Sequence, residues 1–208
     1  MYRRTLNLGI LGLAGGLVGT TLVPSLARAV VEVDLKAAET PRVLGDPDAP
    51  LTMIEYSSLT CPHCATFHAK SYKPIVENYV DTGKLKFEMR DFPLDQYALR
   101  ASAMARAIDG KPYFALIDMI FKQQATWTRA ENPIDALKKI GRLAGISAET
   151  ADAYMTNEAL LDSILNGRID AQKSYDVNST PTFVIGDEVI RGAEPYETFQ
   201  KVIEAKLA

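Results

Sequence analysis

Hydrophobic and polar positions along the chain change period several times, and each change predicts an element. Leu51 to Tyr56, L-T-M-I-E-Y, has little polar interruption. Such a run predicts a strand buried on both faces. Lys84 to Phe92 alternates instead: Leu85, Phe87 and Met89 fall on one face, Lys86, Glu88 and Arg90 on the other. That is a half-buried strand. Between them the spacing predicts a helix from the cysteines at 61 and 64 to about Tyr79. Pro62 suits its first position, where no N–H is needed. Pro74 should kink or split it, and Gly83 closes it. Strand, helix, strand in this order is a β-α-β unit. Ahead of it, G-D-P-D-A-P (Gly45 to Pro50) is a turn cluster. V-V-E-V-D-L (Val30 to Leu35) reads as a short strand.

From about Leu94 to Asp176 the signals are helical. Tyr97 to Ile108 is rich in alanine and ends at Gly110. Pro112 starts a helix carrying Tyr113, Phe114, Ile117, Ile120 and Phe121 at helical spacing. Pro133 starts another that ends near Gly145, Ser147 caps a short one through Met155, and Glu158 to Lys173 forms a longer one. Their apolar stripes read as core, with Trp127 packed among them. Strand signals return at Thr182 to Ile185, turn at Gly186-Asp187, and continue over Val189 to Arg191. Pro195 opens a final amphipathic helix bearing Phe199, Val202, Ile203 and Leu207. Neither half has enough strands for a sheet of its own. The helices therefore read as an insertion in one α/β fold: 30–93 the first part, 94–176 the inserted helical domain, 177–208 the second part.

Residues 1–29 stand apart. Arg3 and Arg4 precede an apolar, Gly-rich run to Val23, and Ala27 and Ala29 give an A-x-A spacing. This is the layout of a secretory signal peptide cut after Ala29. An uncleaved membrane anchor is the alternative, and R-R-T-L-N-L leaves a twin-arginine or an ordinary Sec route open. Without those residues the chain has 20 basic and 26 acidic side chains, a formal charge of −6. No basic surface is implied, and nucleic acid is not an expected partner.

The chemistry lies in L-T-C-P-H-C-A. Cys61 and Cys64 are the only two cysteines in the chain. A bridge closing two residues scarcely restricts the unfolded chain and is poor as a staple. At a helix start, however, the two thiols lie one turn apart on one face, within reach of a disulfide. The unpaired N–H groups and the helix dipole favour a thiolate at Cys61. Cys64, deeper and shielded, is placed to resolve a mixed disulfide formed at Cys61. His63 between them would further stabilise the anion. A Cys61-Cys64-His68 metal site is the competing reading, short of the usual four ligands; otherwise His68 reads as a partly exposed helix residue. Glu55, six residues before Cys61, is costly to bury unless paired or protonated. It is either an inward acid paired to a lysine or a proton acceptor beneath the disulfide.

L-T-M-I-E-Y-S-S-L-T-C-P-H-C, a helical stretch, and then S-T-P-T-F-V-I-G-D-E-V-I-R-G-A-E-P-Y resembles the DsbA-like branch of the thioredoxin superfamily, over roughly Val43 to Leu207. The resemblance implies a thioredoxin fold with an inserted helical domain. It also implies a periplasmic thiol:disulfide oxidoreductase acting on cysteine pairs of folding secreted proteins. A membrane partner would reoxidise it, with no metal or organic cofactor. On that likeness Cys61, Pro62, His63, Cys64 and Glu55 belong to the catalytic site. Pro181 is its cis-proline, and the Thr180 backbone pairs with an extended substrate. Dedicated oxidants of the family often carry Val where Thr180 stands, so a reductase or isomerase remains the alternative direction. Isomerases are dimers built through a sizeable N-terminal region, for which the stretch from Ala29 to Pro50 is too short. A non-catalytic peptide-binding domain is a third reading.

Overall fold

The computed structural model describes residues 31–208. The expected signal segment lies outside the described residues. A five-stranded sheet of order β1-β3-β2-β4-β5 forms the centre. Its strands are β1 (Arg42–Leu44), β2 (Leu51–Ser57), β3 (Leu85–Asp91), β4 (Thr182–Ile185) and β5 (Glu188–Arg191). The β2–β3 pair is parallel and the other three are antiparallel. The central position of β2 explains why its sequence is apolar on both faces: every residue but Thr52 is buried. In β3 the expected alternation holds, with Leu85, Phe87 and Met89 inside. Gly186-Asp187 makes the β4–β5 turn, with Gly186 at a φ of 62°.

Ten helices accompany the sheet among the described residues: α1 (Leu35–Glu39), α2 (Pro62–Phe67), α3 (Lys73–Ile75), α4 (Gln96–Ala105), α5 (Gly110–Lys122), α6 (Gln124–Trp127), α7 (Pro133–Leu143), α8 (Ala148–Thr156), α9 (Glu158–Tyr175) and α10 (Tyr196–Leu207). The run from α2 to Val80 is not broken at Pro74. It continues through π-helical turns at His68–Tyr72 and Val76–Val80. Proline forfeits a backbone donor and crowds the preceding turn, and wider turns accommodate both. Strand pattern over 30–35 is also corrected: Val31 to Asp34 are irregular, and Asp34 caps α1 through its carboxylate. Helices α4 to α9 all lie between β3 and β4 in the chain, and their stripes are core, with Trp127 1% exposed and its indole N–H bonded to Ile120 C=O at 3.0 Å.

The sheet has different neighbours on its two faces. Met53, Phe87, Met89, Phe183 and Ile185 pack with Phe67, Ile75, Phe199 and Ile203, and with the apolar side of α5. Ile54, Tyr56 and Val184 face the other way, onto Ala171 and Val177 at the end of α9. Burying these side chains contributes roughly 1.5–3 kcal/mol each before entropy is subtracted. Arg42, 1% exposed, is the unexpected core residue. Its guanidinium donates to the carbonyls of Ala37, Ala38, Thr40 and Arg106, tying α1 and the end of α4 to the sheet edge.

Gly45, after β1, has φ 103°, and a Cβ there would stand 2.7 Å from Val80 Cγ1. Gly45→Ala should therefore lower unfolding free energy by about 1–3 kcal/mol through strain and overpacking. Urea unfolding checks this; an unchanged midpoint would contradict it.

Candidate active site

The loop leading into α2 is held from four directions before any chemistry is considered. Cys61 N–H donates to Ser58 C=O at 3.0 Å. The Thr60 hydroxyl donates to Asp95 Oδ2 at 2.6 Å, while Asp95 Oδ1 caps α4 by accepting from Tyr97 and Ala98 N–H. Leu94 N–H donates to Ser58 Oγ. From α6, the buried Gln124 amide donates to Leu59 C=O at 2.9 Å and Cys61 C=O at 3.0 Å. Sequence spacing pointed to neither Asp95 nor Gln124, because each reaches the loop from a remote helix.

Cys61 is the N-cap residue of α2, with φ −78° and ψ 120°, and Pro62 takes the first helical position. Both thiols are free and buried. Across from Cys61 stands the Thr180–Pro181 peptide bond, which is cis. Cys61 Sγ donates to Thr180 C=O at 3.3 Å. The Thr180 hydroxyl is buried with no other partner, free to turn to the sulfur once that is an anion. Thus 119 positions of chain separation collapse to a contact between the two motifs.

The Cys61 thiol is brought down to about 5. The hydrogen bond from Cys64 S–H is the main cause. Burial opposes it; the Thr180 hydroxyl and the backbone N–H groups of Cys64 and His63 assist it. These are the orphan donors of a helix start. Cys64, by contrast, is pushed up, first by burial, then by its bond to Cys61 and by the charge of Glu55. Ser57, at the end of β2, offers it a hydroxyl from below. Pro62 and His63 lie exposed on the rim, and His63 reaches the sulfur through its backbone N–H. One thiol is ready as a nucleophile and its neighbour keeps its proton, the asymmetry that thiol–disulfide exchange requires.

Glu55 is fully buried on β2. It is not paired to a lysine: its Oε2 lies 3.0 Å from His68 Nε2. His68 is therefore corrected from a partly exposed position to a buried one, at 5% exposure. Its Nε2 is turned toward Glu55. Among the described residues no group of three His, Cys, Asp or Glu side chains is arranged to hold a metal. The signal for His68 was its place one helical turn after Cys64, but a helical spacing does not say what the next strand presents.

Two outcomes follow from this geometry. Gln124→Ala removes the amide donor from two buried carbonyls and should cost about 1–3 kcal/mol of stability; chemical denaturation tests it, and a loss below the error of the method would show the clamp to be dispensable. The second concerns pH. Because the folded Cys61 is depressed to about 5 from an ordinary 9.0, its contribution is full above the ordinary value and is lost as pH falls toward 5. Reduced protein should lose about 2.3 kcal/mol of stability from this group between pH 7 and pH 5, where half of the thiolate is still present. The oxidised form, lacking the thiolate, should show no such slope; parallel slopes for both forms would contradict the assignment.

A family model described as thioredoxin matches residues 37–205. A Rickettsia bellii protein that carries the provisional name protein-disulfide oxidoreductase is 30% identical over 155 residues, 74% of this chain and 60% of that protein. The chain thus spans about three fifths of the length of that curated relative. Disulfide bond formation protein D of Bacillus subtilis is 25% identical over 173 residues, 79% of this chain and 76% of that protein. Among solved structures, Wolbachia pipientis alpha-DsbA1 superposes with a TM-score of 0.75 at 28% identity, covering 81% of this chain and 91% of that one. The match of model, relatives and fold, with the two free thiols at a helix start facing a cis-proline, places the chain in the thioredoxin family, in its DsbA-like branch.

Proposed function

We propose that the protein is an exported thiol:disulfide oxidoreductase that passes a Cys61–Cys64 disulfide to cysteine pairs of folding secreted proteins. The observation that carries this reading is the Cys61 sulfur, held near a pKa of 5 opposite the Thr180–Pro181 bond. A thiolate at pH 7 stabilises the reduced enzyme by about 2.7 kcal/mol relative to an ordinary thiol. For a two-electron couple that raises the potential by about 60 mV and makes the disulfide a better electron acceptor.

The reaction is two exchanges at sulfur. A substrate thiolate attacks Cys61 Sγ, the Cys61–Cys64 bond breaks, and Cys64 leaves and is protonated. A second substrate thiol, as thiolate, then attacks the substrate sulfur bound to Cys61. The substrate disulfide forms, and Cys61 leaves as the stabilised thiolate. Pro62 shapes the helix start, and Thr180 with Pro181 lines the face on which an extended substrate segment would lie. The exposed Leu94, beside the Ser58 loop, adds apolar surface next to it. A membrane-borne disulfide partner would restore the oxidised enzyme, and export would be directed by residues 1–29, consistent with a periplasmic site of action.

Thr180 before the cis-proline supports a second reading, in which the same pair works as a reductase or isomerase. Equilibration with glutathione separates the two. The oxidant reading expects a potential well above the roughly −270 mV of thioredoxin, together with oxidation of a reduced dithiol peptide that Cys61→Ser abolishes. A potential at thioredoxin's value would transfer the protein to the reductase class, and activity surviving Cys61→Ser would remove both.

A further inference from the structure

Glu55 is a carboxylate in the centre of the sheet without a permanent cation. Its register partners are Met89 on β3 and Phe183 on β4, neither of which can neutralise it. Oε2 meets His68 Nε2, while Oε1 is buried with no hydrogen-bond partner. The carboxylate is close enough to Cys64 for its charge to resist ionisation of that thiol. His68 completes the arrangement. Its ring is stacked at 30° between Tyr72, 4.6 Å away, and Phe121, 4.3 Å away. That packing alone would suit a phenyl ring. The imidazole instead points one nitrogen at Glu55 and leaves Nδ1 buried without a partner. Beside the ring a recess of about 540 Å³ opens between α2 and α5, lined by Ala65, Thr66, Asp118 and Lys122 as well as His68 and Phe121.

We propose that His68 is a positioning residue which, with Glu55, forms the acid–base pair of Cys64. This rests on the oxidoreductase reading and adds a residue to it. During reoxidation a disulfide oxidant is joined to Cys61. Cys64 S–H gives its proton to Glu55, and the Cys64 thiolate attacks Cys61 Sγ. The Cys61–Cys64 bond forms as the bond to the oxidant breaks, and the oxidant leaves as a thiolate. His68 Nε2 takes the proton on from Oε2, and the imidazole, whose ring borders the recess, gives one up to water there. When substrate attacks the disulfide, the same path runs backwards and protonates the departing Cys64. The charged and titratable groups around His68 and the recesses it lines are Glu55 from β2, Lys70, Tyr72, Lys73, Glu77 and Asp81 on its own helical run, and Lys111, Asp118 and Lys122 from α5. The last two are paired to each other at 2.6 Å.

The test is the closing step itself. Reduced protein is mixed with oxidised glutathione, and release of reduced glutathione from the Cys61 mixed disulfide is followed by rapid quench and mass analysis across neutral pH. The proteins compared are the parent, His68→Gln, Glu55→Gln and the double variant. Glutamine at 68 can keep a donor near Oε2 but cannot carry a proton through. Closure should slow at least about ten-fold in His68→Gln and lose its pH dependence. The Cys61 titration should stay in place, and the double variant should be no slower than the slower single. Closure in His68→Gln less than about ten-fold slower, with the parent pH profile, or single effects that multiply, would overturn the pair. If Glu55→Gln fails to fold, the rate and pH profile of His68→Gln still decide. A parent protein whose Cys61 never joins glutathione would instead bring down the oxidoreductase reading.

Discussion

One sulfur anion at the start of a helix is the constraint around which the molecule is organised. An anion in a largely buried position survives only where donors converge on it, because burial by itself favours the neutral thiol. Here the convergence has three sources: Cys64 one turn along, the Thr180 hydroxyl from a segment more than a hundred residues away, and the backbone N–H groups of the first turn. The lowered pKa of Cys61 depends on the helix start and the Thr180 segment being brought together.

This explains where the fold puts its rigidity. The α2 entry loop is tied to α4 through Thr60 and Asp95, and to α6 through Gln124. These are polar clamps on short backbone segments, which apolar packing could not orient. The helices between β3 and β4 thus do more than cover the sheet: they supply an acceptor, Asp95, and a donor, Gln124, that fix the loop carrying Cys61. On the opposite side β4 carries Thr180 and Pro181 to the sulfur because β4 pairs directly with β2. The two thiols are then divided by depth. Cys61 meets the donors at the helix start, and Cys64 meets apolar core, the Ser57 hydroxyl and the negative field of Glu55.

Much of this was written in local pattern. The apolar β2 run, the alternation of β3, the Gly186-Asp187 turn and the helices opened by Pro62, Pro133 and Pro195 all follow from short-range rules of period and backbone freedom, and they appear where those rules put them; α5 instead begins at Gly110, two residues ahead of Pro112, where Asp109 caps it. The cysteine pair was legible for the same reason: a three-residue spacing at a helix start fixes which atoms can meet. Elements below the length of a period were not legible. Three residues of β1 offer no alternation to read, and Arg42 is a residue that composition places outside. Its burial depends on carbonyls that only the folded chain gathers.

By itself the sequence determined four of the five strands and the helix that bears the thiols. All of these rest on forces acting within a turn or two. Only the tertiary structure decided the surroundings of that chemistry. It set His68 rather than a lysine against Glu55, brought Gln124 under the Cys61 carbonyl, and carried the helical run through Pro74 in widened turns. The reason is physical: a buried polar atom is satisfied by whatever group the packing of distant elements delivers, and one-dimensional spacing carries no record of that delivery.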